Sequence, residues 1–369
     1  MTQIVWTHKE IETLIFDLLI AQMPTVLGNQ MEMTKESMLN GDDTLALDSL
    51  GRYQAASFVA QFFNLKSSMD PMKLVDDTDI NFWVDTVTHH MNHHADIITF
   101  ATSGTTGKRK FIEHQLDNLV TEAHFWAQRY AQIKHINRLV PSHHIYGFIW
   151  TILLPKLLNI ACDDVRRALP DEYLFSSANS LLVAIPNNLK LLNYYASMAD
   201  DVSVVVSTSP CEHELLKQSY ESGYIDVSQI YGSTETGGLG YRNQDNERYT
   251  LPDYVRREGD MLKHIHGHKL PVQDHLVFAA DNTYKVEGRL DDVIQLNGHN
   301  VSISSLSDSI RALTFINDVK IEVMKSDGIA SLHAKVACPE VTDYSPLELK
   351  ENINKSINQK AHIASVTIM

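Results

Sequence analysis

The chain has 369 residues, 44% of them apolar and 21% charged, the ordinary balance of a globular protein long enough for two or three domains. Its formal charge of −15, unrelieved by any local basic patch, argues against nucleic acid as a partner. Cys162, Cys211 and Cys338 are far apart and form no CxxC pair, so a reducing, cytoplasmic setting is expected rather than a disulfide framework. The opening MTQIVWTHKEIETL lacks the basic start and apolar block of a secretory signal. No membrane span is expected, because the longest apolar candidate, FIWTILLPKLL at 148–158, is broken by Pro155 and Lys156, and a span needs roughly 18 apolar residues.

In chain order, residues 8–28 carry Ile11, Leu14, Ile15, Leu18 and Leu19 at helical spacing. After a polar, turn-rich stretch, 49–65 reads as a second amphipathic helix through Leu50, Tyr53, Ala56, Phe58, Val59, Phe62 and Phe63. Asp48 or Ser49 is placed to cap it, since a side-chain oxygen there accepts from free first-turn amides. A third helix is expected over 78–92, around Ile80, Val84 and Val87. At its end His89/His93 and His90/His94 stand at the i,i+4 spacing that can bind zinc, but without an acidic or cysteine partner they read as a solvated helix terminus. From about 96, short β-like runs (DIITFATS, SLLVAIP, DVSVVVSTS, DVSQIYGS) alternate with helical segments, the pattern of an α/β sheet. Near Gly288 the texture changes again, to strands DVKIEVMKS and ASLHAKVAC and a helix near PLELKENINKSI, a small α+β unit. Three domains are therefore expected: helical over 1–95, α/β over 96–287, and a short subdomain over 288–369.

The stretch ITFATSGTTGKRKF at 98–111 leads from an apolar run into a loop dense in hydroxyls and ending in positive charge. A Walker loop needs G-x-x-x-x-G-K-[ST]; Thr102 stands where its first glycine belongs and Arg109 follows Lys108, so it is not one. The physics is related. Gly104 and Gly107 free the backbone to wrap a phosphate with amides, Ser103, Thr105 and Thr106 offer hydroxyl donors, and Lys108 and Lys110 offer charge.

TSGTTGK resembles the phosphate-binding loop of the adenylate-forming superfamily, which includes acyl- and aryl-CoA synthetases. Its companions follow in order: PSHHIYGF (Pro141–Phe148) resembles the substrate-side motif in its coumarate-ligase-like form, QIYGSTETGG (Gln229–Gly238) the adenine and metal motif, and KVEGRLDDVIQLNGHNV (Lys285–Val301) the interdomain hinge. The resemblance implies an α/β adenylation core and assigns roles. Thr102, Ser103, Gly104, Thr105, Thr106, Gly107 and Lys108 would cradle the β- and γ-phosphates of ATP. Tyr231, with Gly232 and Ser233 beside it, would stack on adenine, Thr234 would touch the α-phosphate, and Glu235 would bind Mg²⁺, which suits a hard carboxylate oxygen. Asp274, which lacks the usual Thr-Gly before it, and Arg289 would contact ribose; Asp291 would be the hinge; His144 would border the acyl pocket.

Two features bear on the acceptor and on activity. The first 95 residues resemble an acyl carrier protein, in which Ser49 of LALDSL would bear 4′-phosphopantetheine; the other reading is a plain helix cap, and no Asp or Glu occurs from Leu50 to Leu65. The superfamily's second catalytic lysine lies in a loop near the C-terminus. Here NQKAHIASVTIM resembles the strand before that loop, Lys355 and Lys360 fall too early to match it, Gln295 replaces a common lysine, and Ser305 and Ser307 replace glutamates. The expected activity is ATP- and Mg²⁺-dependent activation of an aryl or fatty acyl carboxylic acid as acyl-AMP, then transfer to the phosphopantetheine thiol of CoA or a carrier protein, in a secondary-metabolite or fatty-acid-type pathway. The alternative is a catalytically impaired adenylate-binding or carrier-docking protein.

Overall fold

The structure, a computed structural model, describes residues 4–22, 34–102, 110–174, 178–198, 201–290, 293–296, 299–326, 329–339, 344–357 and 361–369. The chain divides into two compact units, Met1–Pro271 and Val272–Met369.

Three long helices, with shorter helical turns between them, precede the first strand of the first unit. α1 (His8–Gln22) buries Ile11, Leu14, Ile15, Leu18 and Leu19, the stripe expected from its spacing. α2 (Ser49–Phe62) is capped by Asp48, whose carboxylate accepts from the Gly51 amide at 2.7 Å, which makes Ser49 the first helical residue. α3 (Ile80–His93) is capped the same way by Asp79, accepting from Asn81. These helices do not form the separate carrier-like domain expected over 1–95. Phe62 sets its edge against Phe100 and Phe148, with ring centroids 5.5 and 6.4 Å away, and Trp6 stacks on Phe148 at 5.9 Å. Their apolar faces thus close one continuous core with Ile98, Trp126 and Trp150. An amphipathic stripe looks the same in sequence whether it packs on its own bundle or on a neighbouring sheet.

β1 (Ile97–Ala101) and β2 (Phe111–Gln115) form an antiparallel hairpin, tied at its loop end by the Thr102 amide donating to the Lys110 carbonyl at 2.8 Å. The principal sheet has six strands: β3 (His135–Arg138), β4 (Ala161–Asp164), β5 (Ser180–Ala184), β6 (Val202–Val206), β7 (Asp226–Ser233) and β8 (Gly237–Asn243). Their order is β4-β3-β5-β6-β7-β8; the first five run parallel and β8 is antiparallel to β7. The near-continuous apolar runs of β5 and β6 follow from burial on both faces. Leu181, Val183 and Val205 join the core shared with the N-terminal helices, while Leu182, Ala184, Val204 and Val206 join a second core with Tyr173, Leu189 and Leu216. β9 (Val255–Glu258), β10 (Met261–His264) and β11 (Lys269–Leu270) form a small antiparallel sheet near the end of the unit.

The second unit contains the hairpins β12 (Asp274–Phe278) with β13 (Tyr284–Arg289) and β14 (Val293–Leu296) with β15 (His299–Ser302). It also holds the sheet β16 (Asp318–Ser326), β17 (Ile329–Ala337) and β18 (Ile363–Ile368), and helices Ile303–Arg311 and Pro346–Ser356. The strands and the second helix fall where the sequence placed them, but the unit begins at 272 rather than 288. Gly288 shows why: at φ 98° it lets β13 lie against the N-terminus of helix 303–311, where a Cβ would come 2.7 Å from Ser302 Oγ. The β12–β13 hairpin therefore packs forward, with the residues that follow it.

Candidate active site

A cavity of about 380 Å³ opens in the first unit between the segment after β3, the end of β6 and the β7–β8 hairpin. Its first wall is the motif Pro141–Phe148. Helix Ile145–Phe148 continues as one π-helical turn, Ile149–Leu153, an irregularity that recurs at functional sites. Gly147 is dictated by space, since a Cβ there would sit 1.9 Å from the Pro141 carbonyl oxygen. Tyr146 pins this helix to the sheet: its hydroxyl lies 2.9 Å from the Val205 carbonyl and 3.2 Å from that of Ala184, donating between them.

The entry to that wall is held from α1. Asp17, 3% exposed, accepts from the Ser142 amide at 2.7 Å and pairs with Arg138 and Arg166; Arg138 also pairs with Asp164 at 2.7 Å. Ser142 precedes His143 and His144, whose rings lie 4.1 Å apart. His144 opens into the cavity, yet the surrounding protein desolvates it and lowers its pKa, with the Asp17 carboxylate pulling the other way. Burial drives His143 further down, and neither of its ring nitrogens has a hydrogen-bond partner among the described residues.

The facing wall is the β7–β8 hairpin, where Gly232, Ser233, Thr234, Gly237 and Gly238 line the cavity. The two strands approach too closely for side chains at this point, a Cβ on Gly232 falling 2.1 Å from the Gly237 carbonyl oxygen. His114, from β2, donates Nε2–H to the Thr234 carbonyl at 2.6 Å; burial lowers its pKa and keeps the ring neutral. That bond ties the Thr234–Glu235 turn to the hairpin that carries the hydroxyl-rich loop. Helix α4 (Leu116–Arg129) supplies Glu122, 4% exposed. Its carboxyl accepts from the Gly238 amide at 3.0 Å and from Trp126 Nε1 at 3.3 Å, with the Tyr254 hydroxyl beside it. Glu122 has no cationic partner among the described residues, and burial lifts its pKa to about 7.

The structure therefore brings His144, Gly232, Ser233 and Thr234 to one cavity. Tyr231 and Glu235 adjoin it in the chain but do not line it; Tyr231 packs on Tyr249 at 5.4 Å and Glu235 is half-buried. Thr102 sits at the hairpin's loop end, next to cavity-lining Ala101. Ser103, Gly104, Thr105, Thr106, Gly107, Lys108 and Asp291 lie outside the described residues, as does the side chain of Arg289. Asp274 and Arg289 are cross-strand partners in the second unit. Ser49 is exposed at the head of α2 and does not line the cavity. Of the four-histidine run, His89 and His93 stack at 4.3 Å, and no group of three metal-ligating side chains gathers among the described residues.

Sequence reasoning passed over Ser207, Thr208 and Glu122, all of which line the cavity. Thr208 adopts φ 77°, rare for a β-branched residue, and STSP directly after a buried valine strand was its only trace. Glu122 was legible as a lone charge on the apolar face formed by Leu119, Ala123 and Trp126.

The largely parallel sheet, whose strand ends meet a glycine-rich hairpin and a motif helix, forms an α/β core with a cavity at those strand ends. Residues 64–256 match the AMP-binding enzyme family, and the chain belongs to it. It is 30% identical over 334 residues to the 4-coumarate–CoA ligase of Cereibacter sphaeroides, covering 85% of this chain and 77% of that one. It is 28% identical over 297 residues to the enzyme of the same name from Rhodobacter capsulatus, covering 76% and 77%. The fold is similar to that of ATP-bound MatB from Rhodopseudomonas palustris (TM-score 0.62, 13% identity, 97% of this chain and 88% of that). The amide bond synthetase McbA from Marinactinospora thermotolerans shares it as well (TM-score 0.57, 13% identity, 74% and 66%). Among the described residues no helix is long and apolar enough to cross a membrane.

Proposed function

We propose that this chain is an acid–CoA ligase acting on an aryl carboxylic acid. In the first step a carboxylate oxygen of the acid attacks the α-phosphorus of ATP, the bond to the β-phosphate bridging oxygen breaks, and pyrophosphate leaves. In the second the sulfur of CoA attacks the acyl carbonyl carbon, the carbon–oxygen bond to phosphate breaks, AMP leaves, and the thiol proton passes to solvent.

The observation that carries this reading is the cavity's chemistry. Val140, Ile145, Ile149, Trp150, Ile185 and Ile230 give it flat and branched apolar walls, while Ser233 and Thr234 on one wall and His144 on the other supply hydrogen-bonding groups. Neutral His144 can orient a carboxylate without forming a salt bridge that would weaken its nucleophilicity. The hydroxyl-rich loop, from Ser103 to Lys108, is assigned the β- and γ-phosphates, and Asp274 with Arg289 the ribose. The donor set fits a magnesium ion: Glu235 offers a hard carboxylate oxygen on a turn braced by His114, and the ion supplies charge neutralisation of the leaving pyrophosphate. CoA, rather than phosphopantetheine on Ser49, is the thiol on this reading, because α2 spends its apolar face in the shared core rather than in a free-standing carrier bundle.

The test is ATP–pyrophosphate exchange with aryl, medium-chain and long-chain acids, with and without CoA, and intact-mass analysis alongside. Exchange confined to aryl acids, CoA-dependent release of AMP, and no phosphopantetheine-sized mass gain are expected. Measurable ATP binding without exchange for any acid would overturn the enzyme reading and leave an adenylate-binding protein.

A further inference from the structure

The main cavity abuts a second, smaller one. It lies behind His144, between α1, α2 and the β1–β2 hairpin, and has about 30 Å³ of room. This void shares Ala101 and His144 with the main cavity. It shares Gln61, Thr99 and Phe111 with a groove of about 470 Å³ on the outer side of α2. Thr99 and Ala101 stand two apart on β1 and face the same side, so about 7 Å of strand separates the cavity end of this route from its groove end.

His143 also lines the void. It is 5% exposed, and neither ring nitrogen has a hydrogen-bond partner among the described residues. A neutral imidazole carries one donor and one acceptor, and burying both unmade is costly. Water meets both needs. A site for it takes about 10–15 Å³ and polar neighbours, so the void suits water and is too small for the tail of an acid. Gln22, Gln61 and Thr99 add polar residues to the lining. The His143 and His144 rings lie 4.1 Å apart without a hydrogen bond between them, so a link from one to the other runs through the void they share.

The second step of the reaction calls for such a link. The thiol must lose its proton as its sulfur attacks, and a cavity filled by an acyl-adenylate and a thiol leaves little water beside them to take it. His144 stands at both the cavity and the void.

We propose that the void holds water anchored by His143, and that this water carries the thiol proton out to the groove over α2. Sulfur bonds to the acyl carbon, the carbon–oxygen bond to phosphate breaks, and AMP leaves with that electron pair. One nitrogen of the His144 ring takes the proton from sulfur, and its other N–H passes a proton to the void's water and on past Thr99 and Gln61. His143 is thus a positioning residue that acts through water rather than on substrate. This rests on the acid–CoA ligase reading above.

The experiment compares the full chain with His143→Phe and His143→Gln, using the acid that supports exchange. Pyrophosphate release reports the first step, and AMP release after CoA is added to the preformed acyl-adenylate reports the second. His143→Phe keeps a ring and loses both nitrogens. It is expected to leave pyrophosphate release within about twofold and to slow AMP release about tenfold, with KM for CoA unchanged and a larger solvent deuterium isotope effect. His143→Gln, which keeps a donor and an acceptor, recovers most of the rate. A crystal structure of the unaltered chain is expected to show water within hydrogen-bond distance of the His143 ring. A dry void overturns the proposal, as does AMP release unchanged in His143→Phe, or both steps slowed alike, the mark of a merely structural residue. Should His143→Phe not fold, the wet or dry void of the unaltered chain still decides. Failure of the ligase reading looks different: no acid then yields pyrophosphate even in the unaltered chain, and the relay falls with it.

Discussion

Replacing Asp17 by Ala tests whether the N-terminal helices are structural parts of the site. Asp17 is buried on α1 and holds three donors: Arg138, Arg166 and the Ser142 amide. Its loss leaves the Arg138 side chain, 7% exposed, with Asp164 as its remaining carboxylate, and leaves the buried Ser142 amide without its acceptor. Removing one partner of a buried ion pair costs about 3–5 kcal/mol. The orphaned amide adds about 1–3 kcal/mol if it stays buried. Arg166, whose side chain is 27% exposed, recovers part of this by rehydrating, so a net loss of about 4 kcal/mol is expected. Asp17→Asn keeps one carbonyl oxygen for Ser142 and should lose about 2 kcal/mol. The assay is urea unfolding at pH 7 followed by tryptophan fluorescence, since Trp6 and Trp83 report on the N-terminal segment and Trp126 and Trp150 on the rest of the shared core. One cooperative transition moved to lower urea in both variants is the expected result. A loss below about 1 kcal/mol, or an early transition confined to Trp6 and Trp83, would refute the reasoning.

Glu122 predicts a pH dependence of stability. Its pKa is raised from 4.5 to about 7 in the folded state, so it is protonated in both states at low pH; the penalty grows as pH rises through 4.5 to 7 and is complete above, worth about 3 kcal/mol. Thermal unfolding at pH 5 and pH 8 should show Glu122→Gln losing less stability between the two than the unaltered protein, and equal losses would contradict this. Gly147→Ala forces a methyl group onto the Pro141 carbonyl and should cost about 2–3 kcal/mol by urea unfolding; a change under about 0.5 kcal/mol would show that the loop yields freely. Ser49→Ala, at an exposed position whose cap is Asp48, should leave stability within about 0.5 kcal/mol and CoA-dependent turnover unaltered, and loss of turnover would restore Ser49 as an acceptor.

Periodicity and short motifs made the local elements legible. The apolar stripe of α1, the strands SLLVA and VSVVV, and the glycine-rich QIYGSTETGG all stand where the residue pattern put them. What the pattern could not carry was partnership. The stripe on α2 fits a carrier bundle as well as a sheet-backed core, and the choice is made by Phe62 meeting Phe100 and Phe148, far along the chain. The boundary at 271/272 escaped for a similar reason, since a hairpin's allegiance depends on what Gly288 lies against. Glu122 shares its helix face with Leu119, Ala123 and Trp126, a sequence signal of burial, but its partner, the Gly238 amide, lies 116 residues away.

The cavity walls are held by three polar bonds, two buried and one half-buried, each spanning more than a hundred residues. Ser142 to Asp17 spans 125 residues, His114 to Thr234 spans 120, and Gly238 to Glu122 spans 116. Apolar packing alone is non-directional and would tolerate a sliding loop or a tilted hairpin. A buried hydrogen bond tolerates neither, because breaking it leaves both groups desolvated. Adenylation draws its rate from position and charge neutralisation rather than from a protein nucleophile, and displacement by about 1 Å can cost a hundredfold. Local sequence cannot set such distances. In this chain α1, β2 and α4 each lend one polar side chain to fix a separate part of the cavity wall. The N-terminal helices thereby join the catalytic architecture through Asp17, although none of the family's motifs lies on them.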